Sequence, residues 1–191
     1  MRRGALLALA VVLAGCGGSG GASISKGDLP KLALHRADLP AGFVEFANGP
    51  QGRADLHPGP RGDPGRFDRV GGWIARYRKP GAPVESPGAH VVESRADLFA
   101  SSGGAKQDLK AYEDEYEQLP REVGVQRLEA PDLGDGAAAF RYGSGLDRFV
   151  LLAWREANAT GSVLVEGSSV TLADAAALAR KQQGRMAAAA G

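Results

Sequence analysis

Apolar and polar positions follow two rhythms along the chain. From Trp73 to Arg78 they alternate. Trp73, Ala75 and Tyr77 share one face of an extended segment, while Ile74, Arg76 and Arg78 share the other. A Pro/Gly turn region follows, and Val91 to Phe99 can pair back as a second strand. Phe43, Val44 and Phe46 predict a shorter strand upstream, and Asp28 to Leu34 a short helical turn. The rhythm then changes. Ala105, Leu109, Tyr112, Tyr116 and Leu119 fall three and four residues apart, which is one face of an amphipathic helix. Ser101 or Ser102 caps it and Pro120 ends it. Lys106, Asp108, Lys110, Glu113 and Glu117 are expected on its solvated side, with Glu115 likewise a surface residue.

Alternation returns downstream. Val123 to Leu128, Ala137 to Tyr142, Phe149 to Arg155 and Gly161 to Glu166 read as strands. Leu133-Gly134-Asp135-Gly136, Gly143-Ser144-Gly145 and the 156–160 segment read as their turns. Phe149 to Trp154 is apolar on both faces, which places that strand, and Trp154, inside the core. Thr171 N-caps a last helix whose face is built from Leu172, Ala175, Ala176, Ala179 and Met186. Asp174 lies near its positive end, and its alanine-rich end at 187–190 is expected to fray. Strands cluster instead of alternating with helices. The fold class is therefore α+β: a single domain, mainly an antiparallel sheet, with a central amphipathic helix and a C-terminal helix packed on it.

Proline punctuates the front half. Nine of the eleven prolines lie between Pro30 and Pro87. The stretch 47–69 holds four prolines and five glycines without apolar periodicity. It is expected to be a functional loop or to lack structure.

The N-terminus reads as an address. Met1-Arg2-Arg3 is basic, and Gly4 to Leu13 is an apolar run too short for a membrane-spanning helix of about 20 residues. The run ends in Leu13-Ala14-Gly15-Cys16, which resembles the lipobox of bacterial lipoproteins. That resemblance implies a signal peptide over residues 1–15, cleavage before Cys16 and lipidation of the Cys16 thiol. It implies a protein held by its lipid at the cell membrane or the outer membrane, on the extracytoplasmic side. Two or more acyl chains give stable attachment where one is marginal. An ordinary signal peptide followed by an incidental cysteine is the competing reading. Residues 16–27 then form the anchor and a glycine-rich tether, and 28–191 the domain. The element order from Ala37 to Arg185 also resembles small exported lipoprotein domains of the PsbP-like type and extracellular sensor domains of some actinobacterial membrane proteins.

Charge and chemistry narrow the function. The full chain of 191 residues carries a net charge of +1. Without Arg2 and Arg3 the balance turns to −1, which gives no electrostatic footprint for nucleic acid. Cys16 is the one cysteine, so neither an intramolecular disulfide nor a multi-cysteine zinc site can form. Nucleophile-elbow, phosphate-loop and dinucleotide motifs are missing, so no cofactor or catalytic residue is assigned. The three histidines are unpaired at helical spacing, and Asp55-x-His57 alone is too small a ligand set for a metal site. Arg61-Gly62-Asp63 spells an adhesion tripeptide, and Asn158-Ala159-Thr160 a glycosylation sequon. Both are short enough to arise by chance.

One constellation stands out. Arg66, Arg69, Arg76 and Arg78 interleave with aromatic residues including Trp73, a pattern able to hold an anionic group. The plainer reading puts Trp73 and Tyr77 in the core, with Arg76 and Arg78 reaching outward over it. The functional expectation is a membrane-anchored, non-enzymatic lipoprotein. It would bind an envelope ligand such as an anionic polymer, or an envelope protein. The alternatives are an envelope hydrolase without a linear motif and a carrier of lipid or a small molecule in a cavity between sheet and helix.

Overall fold

Seven strands build one antiparallel sheet. They are β1 (Val44–Pro50), β2 (Arg69–Arg78), β3 (Ala89–Phe99), β4 (Gln126–Leu128), β5 (Ala137–Ser144), β6 (Asp147–Glu156) and β7 (Ala159–Gly167). The computed structural model describes residues 22–56, 60–81, 83 and 85–191. The expected leader, Cys16 and the glycines up to Gly21 lie outside the described residues. The strand order is β1-β2-β3-β7-β6-β5-β4. The last strand thus returns to the middle, between β3 and β6. This is the expected α+β architecture.

The two faces of the sheet receive different covers. Helix α1 (Leu29–Leu32) and helix α3 (Leu172–Ala190) close one face. Their Leu29, Leu32, Ala175, Leu178, Ala179 and Met186 pack on Ala75, Tyr77, Val92, Ala96, Val150, Leu152, Trp154, Val163 and Val165. Small residues on α3 let it lie close to the sheet. Gly161 shows how close, since a Cβ there would lie 2.5 Å from the Trp154 ring and 2.8 Å from the Met186 sulfur. Helix α2 (Ser102–Glu117) covers part of the other face, where Tyr112 and Tyr116 pack on Ala138, Phe140, Leu151 and Ala153. Ser101 caps α2 through the Gly104 N–H, and Thr171 with Asp174 forms a reciprocal capping box on α3.

Three boundaries differ from expectation. Arg121–Val123 forms a 3-10 turn closed by Gly124 at φ 67°, so β4 keeps only three residues. The last alanines do not fray: α3 continues to Ala190, and Ala189 and Ala190 rest against the core. The described residues of the stretch 47–69 form defined elements, in keeping with a loop and not with a structureless segment. They complete β1 and then make 3-10 turns at Arg53–Asp55, Pro60–Gly62 and Arg66–Asp68. The folded unit also starts before Asp28. Ile24 is buried, its N–H donates to Asn158 Oδ1 at 2.7 Å, and Asn158 Nδ2 donates back to the Ile24 and Phe99 carbonyls.

Candidate functional site

Three of the four arginines singled out in the sequence, Arg66, Arg69 and Arg76, meet carboxylates of the same chain. Asp108 projects from α2 onto the sheet. Its Oδ1 accepts from Arg66 Nε at 2.9 Å and from Arg61 Nε at 3.3 Å, and its Oδ2 accepts from the Thr160 hydroxyl at 2.7 Å. Asp97 on β3 meets Arg69 through one oxygen. Its other oxygen lies 3.3 Å from Arg66 and 3.8 Å from Arg61. The Arg61 guanidinium also stacks 3.2 Å above the Tyr112 ring and lies 3.6 Å from Glu115. Asp97 and Asp108 are 1% and 0% exposed. Such burial is tolerated because every charge meets an opposite one.

Backbone geometry makes room for the network. Phe67 and Asp68 adopt φ of 53° and 58°, a left-handed pair that is uncommon for side chains of this kind. That turn brings Arg66 and Arg69 to one shared carboxylate, Asp97. Gly104 lets the Phe67 carbonyl approach α2, since a Cβ there would lie 2.3 Å from it. Gly72 leaves the space that the Arg69–Asp97 pair fills.

Beside it, Arg76 donates to Glu93 at 2.7 Å and to Asp55 at 2.9 Å, and Arg95 bonds Glu93 and the Asp55 carbonyl. Burial alone would raise the Glu93 carboxyl. The guanidiniums of Arg95 and Arg76 outweigh it and hold the group below its ordinary range. At Glu115 burial wins over Arg61 and the carboxyl is pushed up. Arg78 stands apart. It is exposed and sits 5.7 Å from the Phe46 ring. Trp73 is only partly buried, at the edge of the core, and its indole N–H donates to Asn48 at 2.7 Å; Ala75 and Tyr77 are the fully buried members of that face. The structure thus gathers Arg66, Arg69 and Arg76 into a charge-matched layer beneath the loop, and leaves Arg78 and Trp73 outside it.

Two short motifs acquire a structural explanation. Arg61 of the Arg-Gly-Asp tripeptide is buried in the ion network while Asp63 is exposed, so the tripeptide is not presented whole at the surface. Asn158 of the sequon spends its side chain on the Ile24 and Phe99 backbone. Asp55 is engaged by Arg76, and His57 lies outside the described residues.

The concave feature with ligand-binding character lies on the other face. A groove of about 500 Å³ opens between α3, the upper ends of β3 and β7, and the segment 37–43. Leu39, Phe43, Val92, Val165 and Leu178 form its floor, with Pro40 and Pro87 as walls. Asp38, Asp174, Lys79 and Lys181 stand at its rim. The two acids are already committed. Asp38 accepts from Arg185 and the His35 N–H, and Asp174 from Thr171. Burial would raise the Asp38 carboxyl, but those two donors hold it below its ordinary range. Lys181 donates to the Asp38 carbonyl, and Lys79 has no carboxylate partner among the described residues. The groove therefore joins an apolar floor to a rim with uncommitted positive charge. A more open hollow of about 650 Å³ lies near Leu128–Asp132 and is lined by Arg141 and Arg148 as well as by Glu129 and Asp132.

Sequence reading misses Arg61, Asp97 and Asp108 as partners; a cavity between sheet and helix is among its alternatives, but the groove's lining residues are not named. Asp108 does carry a signal. It lies three residues after Ala105 and four before Tyr112, on the helix face that faces the sheet. The groove has none, because its lining comes from segments up to about 140 residues apart.

No protein-family model matches the sequence, and no curated protein matches it. Among solved structures, the chain is similar to the extracellular domain of PknH from Mycobacterium tuberculosis. The TM-score is 0.58 at 9% identity, covering 87% of this chain and 96% of that chain. At this identity the likeness is one of fold. Among the described residues, no helix is long and apolar enough to cross a membrane.

Proposed function

We propose that the protein is an exported lipoprotein, tethered through Cys16, that binds a small anionic amphiphile in the groove between α3 and the sheet. The carrying observation is the groove itself. Its volume is that of a small-molecule site, its floor is apolar, and Lys79 stands at its rim without a carboxylate partner among the described residues. An apolar ligand body would cover Phe43, Leu39 and Leu178, and its anionic head would meet Lys79 and Lys181. The arginine layer on the other face is charge-matched within the chain and serves to hold the loop. The lipobox-like segment and a fold shared with an extracellular domain both support export.

Calorimetric titration with decyl phosphate below its micelle concentration tests the binding. Wild-type protein is expected to bind it, and to bind decyl maltoside at least fivefold more weakly. Lys79→Glu should weaken decyl phosphate binding at least fivefold, and Leu178→Trp should abolish it while thermal unfolding remains cooperative. Equal binding by wild type and both variants, or no binding by wild type, overturns the site. The tether has its own test. Cys16→Ser should move the protein from the membrane to the soluble extracytoplasmic fraction, and unchanged membrane retention overturns anchoring.

A further inference from the structure

The second hollow lies toward the β4 edge of the sheet, where the chain enters α3. Two arginines reach it from neighbouring strands. Arg141 on β5 stands opposite Val150, and Arg148 on β6 stands opposite Gly143 and Gly167. Val150 belongs to the core beneath α3, so the alternation of the strands puts both arginines on that same face. They are diagonal neighbours across the β5–β6 hairpin, about 7–8 Å apart. Glycine on both flanks of Arg148 leaves the space beside its side chain open. Both arginines are half-buried.

Glu129 and Asp132, both exposed, line the same hollow, yet the opposite charges do not pair. No carboxylate oxygen of either acid lies within 4.0 Å of a nitrogen of either arginine. Arg141 donates to Gln126, a neutral partner. The side chains of Arg148, Glu129 and Asp132 have no hydrogen bond or ion pair among the described residues. The hollow thus holds two positive and two negative groups, kept apart, beside apolar walls at Leu128 and Leu172. A plain anion drawn to the arginines is repelled by the acids. A ligand with one charge of each sign, at separate ends, satisfies both. Ends separated by a peptide unit, with Cα atoms about 3.8 Å apart, suit charges that are too distant to touch. We propose that this hollow binds a short peptide, free at both ends and apolar in its side chains. Its carboxylate meets Arg141 and Arg148, its ammonium meets Glu129 and Asp132, and a side chain covers Leu128 and Leu172. The site is separate from the groove and does not depend on the Cys16 anchor.

Backbone amide NMR of the unlipidated protein during titration with leucyl-leucine tests the proposal. Saturable shift changes are expected around Glu129, Asp132, Arg141, Arg148 and Leu172, with Lys79 and Leu178 unmoved. N-acetyl-leucyl-leucine, which lacks the ammonium, should bind at least fivefold more weakly. So should leucyl-leucine amide, which lacks the carboxylate. Arg148→Gln should weaken leucyl-leucine at least fivefold and reduce its advantage over the amide. Asp132→Asn should reduce its advantage over the acetylated peptide. Thermal unfolding should stay cooperative in both variants. Either modified peptide binding wild type as tightly as the free peptide overturns the two-ended reading. Shift changes centred elsewhere, no saturable change, or unchanged affinity in both variants overturns the site.

Discussion

One sheet carries two different solutions to burial. On the α3 face the interior is apolar, and its few polar groups are neutral: Ser94 bonds Gln182 and the Leu34 N–H, Tyr77 donates to the Leu34 carbonyl, Gln182 donates to the Arg95 carbonyl, and the buried Trp154 indole N–H has no hydrogen-bond partner among the described residues. On the α2 face, the half beneath the loop is held by arginines and carboxylates that depend on one another. Apolar packing is cumulative, and a lost contact costs its own share. A buried ion network fails as a unit, because removing one member leaves others charged and unpaired. The apolar face also leaves a groove at its upper end, where α3 and the segment 37–43 diverge from the sheet. The ionic face uses its charges to pin a loop.

The comparison breaks most visibly at Asp108. Asp108→Ala leaves the buried Arg61 and Arg66 without their shared hydrogen-bond acceptor and with Asp97 as their one remaining shared carboxylate. It should cost roughly 3–5 kcal/mol in urea unfolding, and protection of the 60–68 backbone in hydrogen exchange should fall with it. A loss below about 1 kcal/mol would show that the network does not act as a unit. On the apolar face, Gly161→Ala forces a methyl against Trp154 and Met186. It should cost roughly 1–3 kcal/mol without exposing the loop.

The smallest effect is the pH dependence. The folded Glu93 carboxyl sits below its unfolded value, so its contribution is full above about pH 4.3 and is lost as pH falls through the folded value. Glu115 has the opposite sign. Its folded value is raised, so the penalty on its charge is relieved as pH falls through that value toward about 4.3. Glu93→Gln should therefore flatten the acid limb of the stability curve, and Glu115→Gln should steepen it. Acid unfolding monitored by circular dichroism reads both, and a shift of the same sign for the two variants contradicts the assignment.

What is legible in the sequence follows the same division. Strands with period two, the α2 stripe and the Thr171 cap are local patterns, and the structure keeps them. The buried Trp154 strand is legible too, because both of its faces are apolar. The loop is not. Its order comes from Arg61 and Arg66 meeting Asp97 and Asp108, partners 31 to 47 positions away, and proline and glycine content alone signals the reverse. A charged residue among surface charges reads as solvated, which puts Asp108 on the wrong side of its helix. The groove depends on where α3 stops touching the sheet, which periodicity does not encode.

The central claim is that the ligand site lies on the apolar face, at the end of the α3 layer. Backbone amide NMR of the unlipidated domain during titration with decyl phosphate tests it most directly. The predicted result is saturable shift changes confined to the surroundings of Leu39, Phe43, Lys79, Ala89, Leu178 and Lys181. Changes centred instead on Arg66, Arg69 and Arg76, or no saturable change at all, would contradict it.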